Sequence, residues 1–240
     1  DALSSQSVSV TTTDGVDAAT FTIAETDNAT LVSESGGTDT FSVVLGSEPT
    51  GNVVFSLTAV DGTEVSLSAS VLTFSTSNWS TAQTVTVTGV NDNVSDDNVT
   101  STITVAINQS NTADTKYDAL SSQSVTVSTT DDDTAAFTVT ESGGSTVVAE
   151  SGSTDAIVVT LSSEPTGSVV LSLTNSDNET SLSASTLTFT PSNWNSAQDV
   201  TITGVDDNID DDNVTSTITV AINQSGTADT KYDALDNKSV

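Results

Sequence analysis

The sequence contains no cysteine, histidine, methionine or arginine, and three lysines are its only cationic side chains. Without cysteine, disulfides cannot stabilise a small domain. Without histidine or cysteine, the usual zinc sites, thiol nucleophiles and histidine-based catalytic triads are excluded. The shortage of positive charge also argues against nucleic acid and anionic membrane surfaces as partners, because both are bound through clustered lysines and arginines.

Carboxylates alone could hydrolyse glycosides, but that chemistry needs one acid whose pKa is raised in an apolar cleft. The acidic residues of this chain lie in polar loops, so we expect no enzymatic activity. The sequence also lacks the run of ~20 apolar residues that a membrane span requires. We therefore expect no direct membrane insertion.

Acidic, hydroxyl-bearing and β-branched residues dominate what is present. The formal net charge is −30, and hydrophobic residues make up 34% of the chain, below the roughly 45–50% of an average globular domain. The abundance of Val, Thr and Ile argues against disorder, and the low hydrophobic content suits narrow β-sandwiches with thin cores. With disulfides excluded, a bound divalent cation is the remaining way to stiffen such domains.

An internal repeat organises the chain. Residues 92–120 and 207–235 differ at only three of 29 positions. Glu34, in the motif Glu-Ser-Gly-Gly, returns 116 residues later as Glu150. This period is the size of one sandwich domain.

The frame of the repeat divides the chain into three segments. Residues 1–8 resemble residues 118–125, so the chain begins with a copy of a late strand. We predict a last strand and linker of a preceding repeat (or a donor strand) at residues 1–17, a first domain at residues 18–133, and a second domain with an incomplete last strand at residues 134–240.

Apolar and polar residues alternate in seven runs per repeat, which predicts an antiparallel β-sandwich. The runs of the first repeat are residues 21–23, 41–43, 53–57, 71–74, 85–87, 103–105 and 125–127. No stretch shows sustained helical periodicity. The predicted fold class is all-β, with tandem sandwiches of about seven strands each, and Trp79 and Trp194 are expected to plug the core or its rim.

Two acidic loops and an acidic linker interrupt the predicted strands. The first acidic loop is residues 91–97, the second is its counterpart at residues 206–212, and the linker is residues 131–133. Two unit charges ~4 Å apart repel by about 4 kcal/mol at an effective dielectric constant of ~20. Such clusters therefore either stay solvated or are neutralised by cations.

Connections at one end of a sandwich recur every second strand. Strand parity can therefore bring the loop after Val32, the first acidic loop and the linker to the same pole of the first domain. Ca²⁺ takes roughly six to eight oxygen ligands, more than one short loop usually supplies. We predict a calcium site formed by the acidic residues of three converging loops: Glu34, Asp92, Asp96, Asp97, Asp131, Asp132 and Asp133. The alternative is that the loops are only solvated faces, which is our expectation for isolated acids such as Asp27, Asp39 and Asp199.

Four motifs together resemble the Calx-beta domain, a repeat of sodium/calcium exchangers and of many bacterial surface proteins. They are the glutamate loops at residues 32–37 and 148–152, the strand entry at residues 187–194, the strand leading into aspartates at residues 200–208, and the aspartate run at residues 128–133 followed by residues 135–139. The resemblance implies a Calx-beta/immunoglobulin-like sandwich with Ca²⁺ between successive domains. It implies the site above for the first domain and, for the second, a set whose closing aspartates would follow Val240: Glu150, Asp206, Asp207, Asp210, Asp211 and Asp212.

We therefore expect a calcium-stabilised structural repeat of an extracellular fibre or cell-surface adhesin, secreted and partnered by neighbouring copies of the same repeat in one chain or in adjacent subunits. Two alternatives stay open. Residues 4–13 could add as a donor strand to the unfinished second domain of a neighbour and so build a head-to-tail filament. Flat, threonine-bearing strands could instead bind a glycan or another surface ligand, although β-propensity explains them equally well.

Overall fold

The computed structural model describes residues 7–13, 15, 17–209 and 212–240, and within it the chain forms two compact units. The first unit contains the chain up to Val90 and Thr100–Thr129, and the second contains Asn91–Val99 and Thr130–Val240. The segment Asn91–Val99, which carries the first acidic loop, thus belongs by its contacts to the second unit. The sequence repeat assigns it to the first.

The described strands of the first unit are β1 (Phe21–Glu25), β2 (Thr30–Ser33), β3 (Thr38–Leu45), β4 (Val53–Ala59), β5 (Val65–Leu67), β6 (Val71–Phe74), β7 (Gln83–Gly89), β8 (Val99–Ile107) and β9 (Gln123–Thr130). A 3₁₀ turn (Thr26–Asn28) follows β1, and a single helical turn, α1 (Thr115–Asp118), precedes β9. One sheet has the strand order β1-β3-β7-β5, and the other has the order β2-β9-β8-β4-β6.

Alternation decides which face of each strand enters the core. In β7, Val85 and Val87 are fully buried, while the threonines between and beside them are not. Phe21 of one sheet and Phe74 of the other both pack edge-on against Phe55, with ring centroids 4.9 and 5.8 Å away. The two sheets therefore face each other across one hydrophobic core, as in a sandwich.

The described strands of the second unit are β10 (Phe137–Glu141), β11 (Thr154–Leu161), β12 (Val169–Asn175), β13 (Thr180–Leu182), β14 (Thr186–Phe189), β15 (Gln198–Gly204), β16 (Ile218–Ile222) and β17 (Lys238–Ser239). A 3₁₀ turn (Ser142–Gly144) follows β10, and α2 (Thr230–Asp233) precedes β17. The sheets have the orders β10-β11-β15-β13 and β14-β12-β16-β17 and enclose a second core.

A buried aspartate and tyrosine fix the chain before the last strand. Asp114 caps α1 by accepting from the Lys116 backbone N–H at 2.8 Å, and its other oxygen accepts from the Thr50 N–H at 2.7 Å. The Tyr117 hydroxyl donates to the Ser47 carbonyl at 2.7 Å. Burial would raise the pKa of Asp114, but the hydrogen bonds from Thr50, Lys116 and Tyr117 together lower it. The second unit repeats the arrangement.

The all-β sandwich class is confirmed, and each predicted run of the first repeat lies within a strand. The structure adds β2 and β5, short strands of four and three residues that were not among the predicted runs. Trp79 and Trp194 are partly buried against the cores. The described helices are single turns, too short to cross a bilayer.

Two predictions extend beyond the described residues. In the segment predicted at residues 1–17, residues 1–6, 14 and 16 lie outside the description, and residues 7–13 form no strand. Of the predicted second calcium set, Asp210 and Asp211 also lie outside the described residues.

Candidate metal centre

Asp131 organises the first acidic loop within the second unit. One of its carboxylate oxygens accepts from the backbone N–H groups of Asp96 and Asp97, both at 3.0 Å. The other oxygen accepts from the Asp133 N–H at 2.7 Å, and the Asp131 N–H donates to the Asn98 side-chain oxygen at 3.2 Å. Asp131 therefore holds the loop and the linker together through main-chain groups, which leaves the neighbouring carboxylates available to a cation.

The neighbouring carboxylates repel one another. Burial, followed by the charges of Asp131 and Asp92, raises the pKa of Asp96. Burial, followed by the charges of Asp132, Asp131 and Asp92, raises the pKa of Asp133. One oxygen of Asp96 is also buried and accepts no hydrogen bond from the described residues. The site thus concentrates negative charge that a cation would relieve.

Glu34 lies one residue past β2, and its side chain is only 1% exposed. The loop turns back at Gly36, which has a φ of 86°, so that the N–H groups of Gly36 and Gly37 both reach the Ser33 carbonyl, at 3.1 and 3.0 Å. Gly89 at the end of β7 permits the close approach of this loop, because a Cβ atom there would lie 2.1 Å from the Ser33 carbonyl oxygen. Because Gly89 has no Cβ atom, the loop that carries Glu34 can lie directly against the end of β7.

Two of the predicted ligands form a close group within the second unit. Asp131 and Asp133 each offer a carboxylate oxygen, and these oxygens lie within 4.8 Å of each other. Ca²⁺ binds oxygens at ~2.3–2.6 Å, so ligands on opposite sides of the ion lie ~5 Å apart. The spacing and the all-oxygen donor set fit a hard cation.

Two other predicted ligands have different surroundings. Asp97 has a left-handed backbone with a φ of 68°, and its exposed carboxylate pairs with Lys231 in the second unit. Such exposed ion pairs contribute about 0–1 kcal/mol. Asp132 is exposed and acts on its neighbour Asp133 through its charge.

The predicted second set is not gathered into a comparable close group among its described residues. Glu150, Asp206, Asp207 and Asp212 are all exposed. Glu150 and Asp212 both line an open cleft of the second unit.

Sequence analysis did not name Glu64, a buried carboxylate at the same end of β7 as Gly89. Its side chain is 4% exposed, and its backbone carbonyl accepts from the Val90 N–H at 2.9 Å. Its signal in the sequence is faint: a single glutamate before a three-residue strand, repeated as Glu179.

The raised pKa values of Asp96 and Asp133 predict how stability depends on pH when divalent ions are chelated. Above the ordinary pKa of 3.8, the folded chain holds protons on these groups more tightly than the unfolded chain does. The free energy of unfolding should therefore fall as pH rises through the window above 3.8. Groups with lowered pKa values, such as Asp114, have the opposite effect: below pH 3.8 they make the free energy of unfolding rise as pH rises.

Urea denaturation in chelator between about pH 4 and pH 7 measures this dependence. The Asp96→Asn variant should show a shallower decline, since it removes one of the two raised groups. A decline equally steep in Asp96→Asn would show that the dependence arises elsewhere.

Comparison with known proteins gives weak similarities only. No family model and no curated protein matches the sequence. Among solved structures, the chain is similar to the D0-D1 domain of Intimin, with 18% identity over 85% of this chain and 90% of that one and a TM-score of 0.31. It is also similar to calcium binding domain CBD12 of CALX1.1 (16% identity, 83% and 80% covered, TM-score 0.35) and to the YadV chaperone (9%, 92% and 99%, TM-score 0.35). The assignment to tandem β-sandwiches therefore depends on the sheets and cores of the two units themselves.

Proposed function

We propose that the chain is a calcium-binding structural module of an extracellular fibre or cell-surface adhesin. The observation that carries the proposal is a pair of carboxylates in the second unit, Asp131 and Asp133, whose oxygens lie within 4.8 Å of each other beside the acidic loop that Asp131 holds by hydrogen bonds. Asp92 and Asp96 add to its negative charge. Resemblance to the Calx-beta motifs supports the same ion.

The charge of the site favours a divalent cation over simple solvation. Burial and neighbouring charges raise the pKa values of Asp96 and Asp133, so the ion-free site is under electrostatic strain at neutral pH. Ca²⁺ tolerates many ligands in irregular geometry, whereas Mg²⁺ demands a near-ideal octahedron and keeps its waters. A site made from an acidic loop and a linker that lie far apart in the sequence suits Ca²⁺ better.

The ion would act mechanically. Residues 131–133 belong to the short segment that joins β9 to β10, so an ion bound to Asp131 and Asp133 restricts that segment. Extracellular calcium modules bind at ~10⁻⁴–10⁻³ M, a range that matches calcium outside cells. With 240 residues and a net charge of −30, the chain is suited to such calcium-rich, saline surroundings.

Isothermal titration of the chelator-treated chain with CaCl₂ tests binding directly. We expect a dissociation constant of ~10⁻⁴–10⁻³ M, and about 2.7 kcal/mol of added stability when Ca²⁺ exceeds that constant 100-fold. Small-angle scattering of the same samples should show a stiffer particle with Ca²⁺ than with chelator.

MgCl₂ at matched ionic strength is the control, because it supplies the same screening of the acidic surface. If Mg²⁺ stabilises and stiffens the chain as much as Ca²⁺ does, the loops are solvated faces and the proposal fails. The glycan-binding alternative stays a prediction, for which a glycan array is the assay.

A further inference from the structure

Two hydroxyl groups of the first unit are buried in its interior without a hydrogen-bond partner. Ser101 is 4% exposed and Thr129 is 0% exposed. The hydroxyl oxygens of both residues are enclosed and make no hydrogen bond with the described residues. Folding therefore takes both groups out of water without replacing the hydrogen bonds that water gave them, which is unfavourable unless a ligand restores those bonds.

Strand alternation directs both side chains into the core. Ser101 on β8 lies two residues before Ile103, and Thr129 on β9 lies two residues after Val127; Ile103 and Val127 are both completely buried. Residues two apart in a strand share a face, and β8 and β9 are neighbours in one sheet. The inner face of this sheet thus continues past its apolar side chains into a pair of hydroxyls.

Two buried carboxylates lie at the same end of the first unit. Glu34, 1% exposed, directly follows β2, the other neighbour of β9. Glu64, 4% exposed, ends the loop before β5, and that loop reaches β8 where the Val60 N–H donates to the Thr102 carbonyl at 2.9 Å. The one lysine of the first unit, Lys116, lies in α1, before the opposite end of β9. We call these four buried side chains, two hydroxyls and two carboxylates, the polar end of the first core.

The second repeat shows a partner that Ser101 lacks. There the corresponding serine, Ser216, donates its hydroxyl to Asp177 at 2.7 Å. Asp61, the counterpart of Asp177, instead accepts from the N–H and the hydroxyl of Thr63, at 3.1 and 2.6 Å. The loop between β4 and β5 has five residues, and the loop between β12 and β13 has four. The additional residue is the threonine that engages Asp61, so the longer loop removes the side-chain partner of Ser101.

The groups at the polar end define the ligand that fits them. A carboxylate only accepts hydrogen bonds, whereas a hydroxyl both donates and accepts. A ligand that serves both kinds of group must be small and must carry donors and an acceptor together, as water does. Internal waters make roughly three hydrogen bonds to buried polar groups that have no other partner, and the polar end offers four side chains for that purpose.

We propose that the first unit holds ordered water at the polar end of its core, bound by the hydroxyls of Ser101 and Thr129. The same water solvates the buried carboxylates of Glu34 and Glu64 and so lowers the cost of keeping charge inside the fold. This internal site lies within the first unit and takes a different ligand, so it goes beyond the proposed calcium function and requires no metal.

Oxygen-17 relaxation dispersion of the solvent, recorded in excess chelator, counts the long-lived internal waters. Thr129→Val keeps the shape of the side chain but removes its hydroxyl. It should remove at least one water from the count and lower the melting temperature by about 2–4 °C, because the remaining polar groups lose a partner. Thr129→Ser retains a hydroxyl and should retain the water. Thr126→Val is the matched control, because Thr126 is exposed on the same strand, and it should change neither quantity.

A loop exchange tests Ser101 separately. Deleting Thr63 and introducing Gly62→Asn gives the loop before β5 the Asp-Asn-Glu sequence of the second repeat. Asp61 should then accept from Ser101 as Asp177 does from Ser216, and the water count should fall by at least one without a loss of melting temperature. Ser101→Ala should lower the count in the chain with its own loop and leave it unchanged in the chain with the exchanged loop.

An unchanged water count in both Thr129→Val and Ser101→Ala would overturn the proposal. A higher melting temperature of Thr129→Val would also overturn it, since removing a buried hydroxyl that has no ligand is stabilising. These measurements are made without calcium, so their failure leaves the calcium titration untouched, and failure of calcium binding leaves them untouched.

Discussion

Replacing Gly89 by alanine is expected to cost about 2–3 kcal/mol of stability in the first unit. The new Cβ atom would lie 2.1 Å from the Ser33 carbonyl oxygen and 3.2 Å from the Glu34 nitrogen. Both obstacles are backbone atoms, so no side-chain rotation relieves the clash, and overpacking of this kind costs about 1–3 kcal/mol or more. The glutamate loop must move, and the Ca²⁺ dissociation constant should rise by about tenfold or more. Chemical denaturation and calcium titration measure the two effects.

The repeat supplies a matched control. Gly204→Ala makes the same clash in the second unit, 2.1 Å from the Ala149 carbonyl oxygen, and should lower stability to a similar extent. It should leave calcium binding at Asp131 unchanged, because the loop that it displaces carries Glu150. Gly62→Ala, with open space around the new Cβ atom, should change neither quantity. Equal calcium affinities in Gly89→Ala and Gly204→Ala would show that Glu34 does not contribute to the metal site.

The second large effect is expected from Asp131→Asn. Asp131 accepts hydrogen bonds from three backbone N–H groups, of Asp96, Asp97 and Asp133, through its two oxygens. An asparagine amide can accept through only one atom, so at least one donor is left without its partner. The variant also loses a charged ligand. We expect calcium affinity to fall by about 100-fold, measured by titration calorimetry.

Asp132→Asn removes the same charge one residue away. Asp132 is exposed and lies outside the close group of oxygens. Removing its charge should therefore weaken calcium binding by only a few-fold, through a smaller electrostatic attraction of the cation. Equal losses in Asp131→Asn and Asp132→Asn would mean that net charge, and not a built site, attracts the ion.

The sequence was most informative where one rule decided the outcome. Strict alternation around residues such as Val85 and Val87 predicts a strand with one buried face, and the structure confirms it. Alternation did not predict β5, because three residues are too few to establish a period. The position of β5 is set instead by its pairing with β7, where Val65 lies opposite Gly89. Short edge strands are defined by their neighbours rather than by their own sequence.

The candidate site was predictable in composition but not in geometry. The repeat predicted a metal site in these acidic loops, which stays a prediction, and it could not show that Asp131 holds the loop while Asp97 turns to Lys231. The partner that each side chain contacts depends on backbone conformation, here the positive φ of Asp97, and on contacts between residues far apart in the chain. Glu64 was missed for the same reason, since only packing shows that its carboxylate is buried.

The assignment of Asn91–Val99 to the second unit has a consequence for synthesis on the ribosome. Val94 is made 70 residues before Glu164, its partner in the second unit. At ~5–20 residues per second, the segment waits roughly 4–14 s for that partner. Its aspartates should keep the segment solvated and repel like segments on neighbouring nascent chains, so its charge should protect an unpaired loop from premature pairing.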